Sequence, residues 1–303
     1  MKDKPQKVKT VSQHFDSDFK KLNPNIKLVN LETELKIARK KLNSKYQILE
    51  NQNSTLDEAI KLCISIHNFN KSNYIEENYA HTFIVLSANI INYLIAIRDN
   101  LQNGLLNSAK ILFRSLMESS QIFQACLFDS ELKNRFMNLE MYDNNDFYFQ
   151  NFSRNKLYQK CIDFYKSLDL EEKRIEYFTE RKKYLTKFLS ESVHSSYNAA
   201  NSNYIMFSLD FEDISNDVFG KITTGYPKII TAIIEEIAII NFVYKKHISK
   251  NISDFNQGTN EFKIYDFYSD KFGQIVSLYL DDFNLFTKEV NTKIEEIKKL
   301  MLE

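Results

Sequence analysis

The chain has 303 residues but only 5 Gly and 3 Pro, far below the average of about 7% Gly and 5% Pro. Sandwiches, barrels and propellers need turn residues at short intervals and are excluded. Forty basic and forty acidic side chains cancel, so the basic excess usual in duplex nucleic-acid binders is absent.

Residues 1–27 are polar and Lys-rich, with Pro5 and Pro24, and read as a flexible basic arm. Met1 to Thr10 has no apolar stretch behind it, so no signal peptide is expected. From Leu28 the apolar positions Leu28, Leu31, Leu35, Ala38 and Leu42 recur at three and four residues, a helix stripe. Thr55-Leu56-Asp57-Glu58 has the form of a capping box and predicts a second helix over 56–70. Tyr74 to Leu101 predicts a third, ended by Asn103-Gly104 because glycine caps a helix end cheaply. Leu105 to Phe128 is apolar on most of its circumference and predicts a central helix.

Asp129 or Ser130 caps a helix over Glu131 to about Tyr142, and Asp143 to Phe147 reads as a break. Helical spacing resumes over Arg154 to Leu168 and again over 170–189, where Glu171 and Glu172 suit a first turn. Ser190 to Asp217 is the least regular section and reads as a loop with a short extended piece. Pro227 sits in the tolerated first turn of a helix to about Lys250, and Asn260 to Leu302 is helical again, with Gly273 a candidate kink. Two apolar stretches test as membrane spans. Phe83–Ile97 is interrupted by Asn89 and Asn92, and Ile229–Val243 carries Glu235 and Glu236 at its centre, so both read as central helices instead. Cys63, Cys126 and Cys161 are widely spaced within apolar segments, which suits buried reduced thiols in a cytoplasmic protein. The expectation is an all-α fold: one helical bundle of about nine helices over 28–303, with the arm and one irregular segment near 190–217.

There is no phosphate-binding glycine loop or other nucleotide motif, no Gly-x-Ser-x-Gly, no His-Glu-x-x-His and no Cys-x-x-Cys; no cofactor and no metal site is expected. Glu191-Ser192-Val193-His194 has the Glu-x-x-His spacing of di-iron proteins, but it occurs once where such a site needs two. Glu118, Glu235 and Glu236 could supply further carboxylates for a carboxylate-bridged metal enzyme. Arg114 and Glu118 lie four apart in the most apolar helix. They read as a buried salt bridge or as a polar pocket offering Arg114 to an anionic group. His194 is a candidate general base. Residues 173–187, with Arg174, Arg181, Lys182, Lys183 and Lys187 and the interleaved Tyr177, Phe178, Tyr184 and Phe188, form a basic face, diluted by Glu176 and Glu180, that is either solvated or an RNA contact.

Leu105 to Glu118, followed by Leu189-Ser190-Glu191-Ser192-Val193-His194, resembles a bacterial helical family of unknown function. Its members carry Arg-x-x-x-Glu and, later, Ser-Glu-x-x-His. The resemblance covers about residues 75–250 and implies a helical bundle in which Arg114, Glu118, Ser190 and His194 meet. A more distant likeness is to the HEPN superfamily of toxin and phage-defence ribonucleases. There an arginine precedes the histidine by four to six intervening residues, whereas Arg181 precedes His194 by thirteen positions. The reading is a cytoplasmic binding or regulatory module, linked through the resemblance to anti-phage defence. A protein partner or a second copy of the chain is expected, with RNA as an alternative and no membrane. Candidate catalytic residues are Arg114, Glu118 and His194, and candidate binding residues are Ser190, Glu191, Arg181, Lys182 and Lys183; the sequence leaves catalysis itself open.

Overall fold

The computed structural model describes residues 31–72, 77–137, 144–153, 155–193, 206–212, 220–251 and 257–300. They form ten α-helices: α1 (Leu31–Tyr46), α2 (Glu50–Ser72), α3 (Glu77–Gln102), α4 (Leu106–Phe128), α5 (Ser130–Met137), α6 (Asn144–Asn151), α7 (Lys156–Ser167), α8 (Glu172–Val193), α9 (Tyr226–Lys250) and α10 (Asn260–Leu300). Among the described residues there is no strand, only an isolated bridge between Ser208 and Thr223. The all-α expectation holds. The chain divides into two units. The first, Met1–Lys41, is described only from Leu31, as the start of α1; the arm over 1–27 lies outside the described residues. The second, Leu42–Glu303, is the helical bundle treated below.

Several helix ends follow from local chemistry. Gly104 takes φ +77°; its N–H donates to Leu101 O at 3.1 Å and Leu105 N–H to Asn100 O at 2.8 Å. That pair of bonds is the Schellman arrangement, which satisfies the last carbonyls of α3. Asp129 Oδ1 accepts from Leu132 N–H at 2.8 Å at the start of α5, and Thr259 Oγ1 from Phe262 N–H at 3.2 Å at the start of α10. Pro227 occupies the first turn of α9.

Elsewhere tertiary contacts override the local signal. Thr55 is no N-cap: it lies inside α2, its hydroxyl donating to Asn51 O at 2.8 Å. A single 3-10 turn, Gln47–Leu49, leads from α1 directly into α2. Leu49 and Gln52 are buried there, Gln52 Nε2 donating to Thr231 Oγ1 at 3.1 Å, so burial starts the helix five residues before the capping box. The break expected at 143–147 is largely helix, because Phe147 in α6 is buried against Phe136 and Phe152, with ring centroids 6.3 and 5.6 Å away. α8 runs on to Val193, past the expected end at 189, and α10 runs unbroken through Gly273.

α4 packs against α3, α5, α7, α8 and α9. Its stripe Leu106, Ala109, Phe113, Leu116, Met117 and Phe123 is buried in the main core, as three- and four-residue spacing requires. The stretch His81–Gln102 of α3 is long and apolar enough to cross a membrane by length and composition. In the fold, its stripe Phe83, Leu86, Ile90, Leu94, Ile97 and Leu101 is buried in the same core. α7, α8 and α9 close a second, smaller cluster around Cys161, Phe164, Tyr165, Phe178 and Val243. All three cysteines are buried, and burial pushes the Cys161 thiol up to about 11, as expected for inert thiols.

The Gly104 turn meets residues 220–221 at close range: a Cβ on Gly104 would lie 2.3 Å from Lys221 N. Gly104→Ala is therefore expected to cost at least about 2 kcal/mol, seen as a lowered urea midpoint. A Cβ on Gly273 would meet nothing within 4 Å, so Gly273→Ala in the interior of α10 is expected to raise stability by up to about 1 kcal/mol.

Candidate functional site

A pocket of about 630 Å³ opens between α4, α6, α7 and α8. α4 supplies Arg114, Glu118 and Gln121, and α8 supplies Thr179, Lys183 and Thr186. Both sets use the helix repeat of three and four, so each lies on one face while other positions of the same helices serve the core. α6 and the turn after it bring Tyr148, Phe152 and Asn155, and α7 brings Leu157, Tyr158, Gln159 and Ile162.

Arg114 and Glu118 share this pocket but do not form the salt bridge that their spacing allows. Arg114 Nη1 donates to Thr186 Oγ1 at 3.5 Å. The Glu118 carboxylate accepts from the Tyr148 hydroxyl. Among the described residues no carboxylate lies within ion-pair distance of Arg114. Burial and then the neighbouring Glu118 charge push the Tyr148 phenol up to about 12, so it stays a protonated donor near neutral pH. Lys183 is more engaged. It pairs with Glu180 at 2.7 Å and lies 5.6 Å from the centroid of the Tyr158 ring. Ser190 donates to Thr186 O at 2.6 Å within α8. Glu191 falls in α8, but its side chain and all of His194 lie outside the described residues. The structure thus brings Arg114 and Glu118 together at one pocket wall.

A second polar cluster is largely buried, and it corrects the reading of Lys182, and in part of Arg181, as members of a solvated basic face. Arg181 bonds Glu235 at 2.7 Å, Glu236 at 3.3 Å and Ala232 O at 2.7 Å. Lys182 is 1% exposed, with Nζ 3.8 Å from Glu236 Oε1 and 5.7 Å from the Tyr165 ring centroid. Glu236 is itself 0% exposed and accepts from Ser120 Oγ at 2.8 Å. Tyr165 donates to Gln124 Oε1 at 2.7 Å. Burial alone would lower the Lys182 value, but the Tyr165 and Glu236 oxygens outweigh it and hold the ammonium above its ordinary range. The reason for the inward turn lies in α9. Two adjacent carboxylates on an apolar helix need cations, and α8 supplies them. Of the basic face over 173–187, Lys183 remains exposed, at 57% of its side chain, as do Lys173, Arg174 and Lys187.

These contacts also engage the carboxylates considered for a metal. Glu235 and Glu236 hold Arg181 and Lys182, while Glu118 accepts one neutral hydrogen bond, from Tyr148 at Oε1. Among the described residues no group of three or more His, Cys, Asp or Glu side chains converges. Sequence reasoning did not single out Tyr148, Thr186, Ser120 or Tyr165, since none stands in a motif. The adjacent pair Glu235-Glu236 inside an apolar run was the one signal that a buried cation partner must exist.

Compared with protein-family models, curated proteins and solved structures, the chain finds no match.

Glu236→Leu leaves Lys182 buried without its carboxylate and is expected to destabilise by about 3–5 kcal/mol. Adding Lys182→Met should recover a large part of that loss in a denaturant titration, as double-mutant coupling requires. Because the folded Lys182 value is raised, the contribution of the pair is complete below pH about 10.5, the ordinary lysine value. It fades only as pH rises through the folded value above that. The stability gap between wild type and Lys182→Met should accordingly stay constant between pH 6 and 9, a window that lies wholly below the onset.

Proposed function

We propose that the chain is a ligand-binding, regulatory helical module in which Arg114 recognises an anionic group inside the pocket between α4, α6, α7 and α8. The carrying observation is that Arg114 faces a cavity of about 630 Å³ with one weak bond to Thr186 and no carboxylate in reach among the described residues. A guanidinium in that condition keeps most of its forked donors for a carboxylate or phosphate. The volume falls within the usual range of small-molecule sites, about 300–1,000 Å³.

Binding is favoured over the ribonuclease reading because Arg181 is already held by Glu235, Glu236 and Ala232 O. An arginine so engaged has little left to offer a phosphate. The RNA-contact reading weakens in part for the same reason, since Lys182 is buried and Arg181 is held by carboxylates, while Lys173, Arg174, Lys183 and Lys187 stay exposed. A second copy or a protein partner draws support from α10, which leaves Phe267, Leu278 and Leu285 exposed. The link to phage defence rests on the resemblance of the Arg-x-x-x-Glu and Ser-Glu-x-x-His segments.

The test is thermal melting with benzoate, phenyl phosphate and inorganic phosphate as probes. At least one is expected to raise Tm at millimolar concentration. Arg114→Gln should abolish the shift, while Lys187→Gln, an exposed charge on α8 outside the pocket lining, should leave it intact. A shift indifferent to Arg114→Gln, or no shift with any probe, would refute anion recognition at this site.

A further inference from the structure

We propose that the natural ligand is a zwitterion, a free α-amino acid with an apolar or aromatic side chain, its carboxylate on Arg114 and its ammonium on Glu118. This deepens, and rests on, the anion-binding reading of the same pocket.

Arg114 and Glu118 stand one helical turn apart on one face of α4 and both line the cavity. Side chains at this spacing have Cβ atoms about 5–6 Å apart and ordinarily gain by pairing. Here they are not paired: one reaches across to Thr186 on α8 and the other to Tyr148 on α6. The wall therefore presents a positive and a negative charge side by side, each open to a ligand. A simple anion on Arg114 would sit beside the Glu118 carboxylate and bind the more weakly for it, at millimolar rather than lower concentration. A ligand whose carboxylate and ammonium are separated by a single carbon satisfies both charges at once, and electrostatic complementarity of this kind sets specificity. The remaining wall says what the rest of the ligand is. Phe152, Leu157 and Ile162, with the Tyr148 ring, line the same cavity beside the polar Gln121, Asn155, Gln159 and Lys183, and this apolar part of the wall offers contact to an apolar or aromatic side chain.

Calorimetry on the full chain with three probes of one skeleton separates the possibilities: L-phenylalanine, 3-phenylpropionate (no ammonium) and 2-phenylethylamine (no carboxylate). L-Phenylalanine is expected to bind at least about tenfold more tightly than either analogue. Glu118→Gln should weaken L-phenylalanine about tenfold and strengthen 3-phenylpropionate, by removing the repulsion. A mere loss of folding would not produce that crossover. Arg114→Gln should abolish binding of both carboxylates, with Arg114→Lys retaining part of it as a control for fold. If 3-phenylpropionate binds as tightly as L-phenylalanine, and Arg114→Gln abolishes it, the zwitterion is wrong while the anion site stands. If L-phenylalanine does not bind, the proposal falls; binding unchanged by Arg114→Gln overturns both readings.

Discussion

Glu236 has no access to solvent, and the arrangement of the helices around it follows from that one fact. An ionised carboxylate removed from water costs several kcal/mol unless charges and hydrogen bonds replace its hydration. Here the replacement comes from two other helices. α8 brings Arg181 and Lys182, and α4 brings the Ser120 hydroxyl. With Glu235 taking the other side of Arg181, two cations face two anions and the set is formally neutral. Apolar packing tolerates a helix turned by some tens of degrees; a buried charge with named partners does not.

The rotation fixed in this way also builds the pocket. Successive residues of an α-helix point about 100° apart, so with Arg181 and Lys182 turned toward α9, Lys183 and Thr186 come round toward α4. Arg114 then meets Thr186. On α4 the same logic operates from the other side. Phe113, Leu116, Met117 and Ser120 are buried, which leaves Arg114, Glu118 and Gln121 for the cavity wall. Burial of the Glu236 cluster and exposure of the Arg114–Glu118 face are thus two consequences of one helix register. The smaller core around Tyr165 and Phe178 supports both, since it packs α7 against α8 beneath the pocket.

The fold class and most helices were legible in the sequence because three- and four-residue spacing of apolar residues is a local property of the chain. The end of α3 at Gly104 and the Pro227 start of α9 were legible too, each set by the backbone of one residue. What was missed depends on contacts distant in sequence. Thr55 has every local mark of an N-cap, yet burial of Leu49 and Gln52 carries the helix past it. Residues 144–147 look like a break until Phe147 finds Phe136 and Phe152. For the site, the Arg114–Glu118 spacing pointed to the right helix face, but its outcome was decided by Thr186 and Tyr148, 72 and 30 residues away from their partners. The charge run at 181–183 could not reveal which of its members would be buried, because the deciding carboxylates lie more than fifty residues on.

Acid–base neighbours one helical turn apart elsewhere in the molecule show two outcomes. Lys61–Glu58, Lys183–Glu180 and Lys298–Glu295 close within 2.9 Å, each with the acid on the N-terminal side, the favoured order, while Arg135 and Lys293 turn to the Phe147 and Phe211 rings rather than to Glu131 and Glu289. Pairs that close need only a flexible side chain and little competition, and they contribute little to stability. At Arg114 and Glu118 the competition is built in. A threonine on α8 and a tyrosine on α6 stand on different sides of the cavity and draw the two side chains apart. Each of those neighbours is neutral, so it orients a charge without cancelling it. A pair meant only to stabilise α4 would gain from closing. One that stays open on a pocket wall, with Arg114 on Thr186 and Glu118 on Tyr148, is the arrangement on which the zwitterion proposal rests.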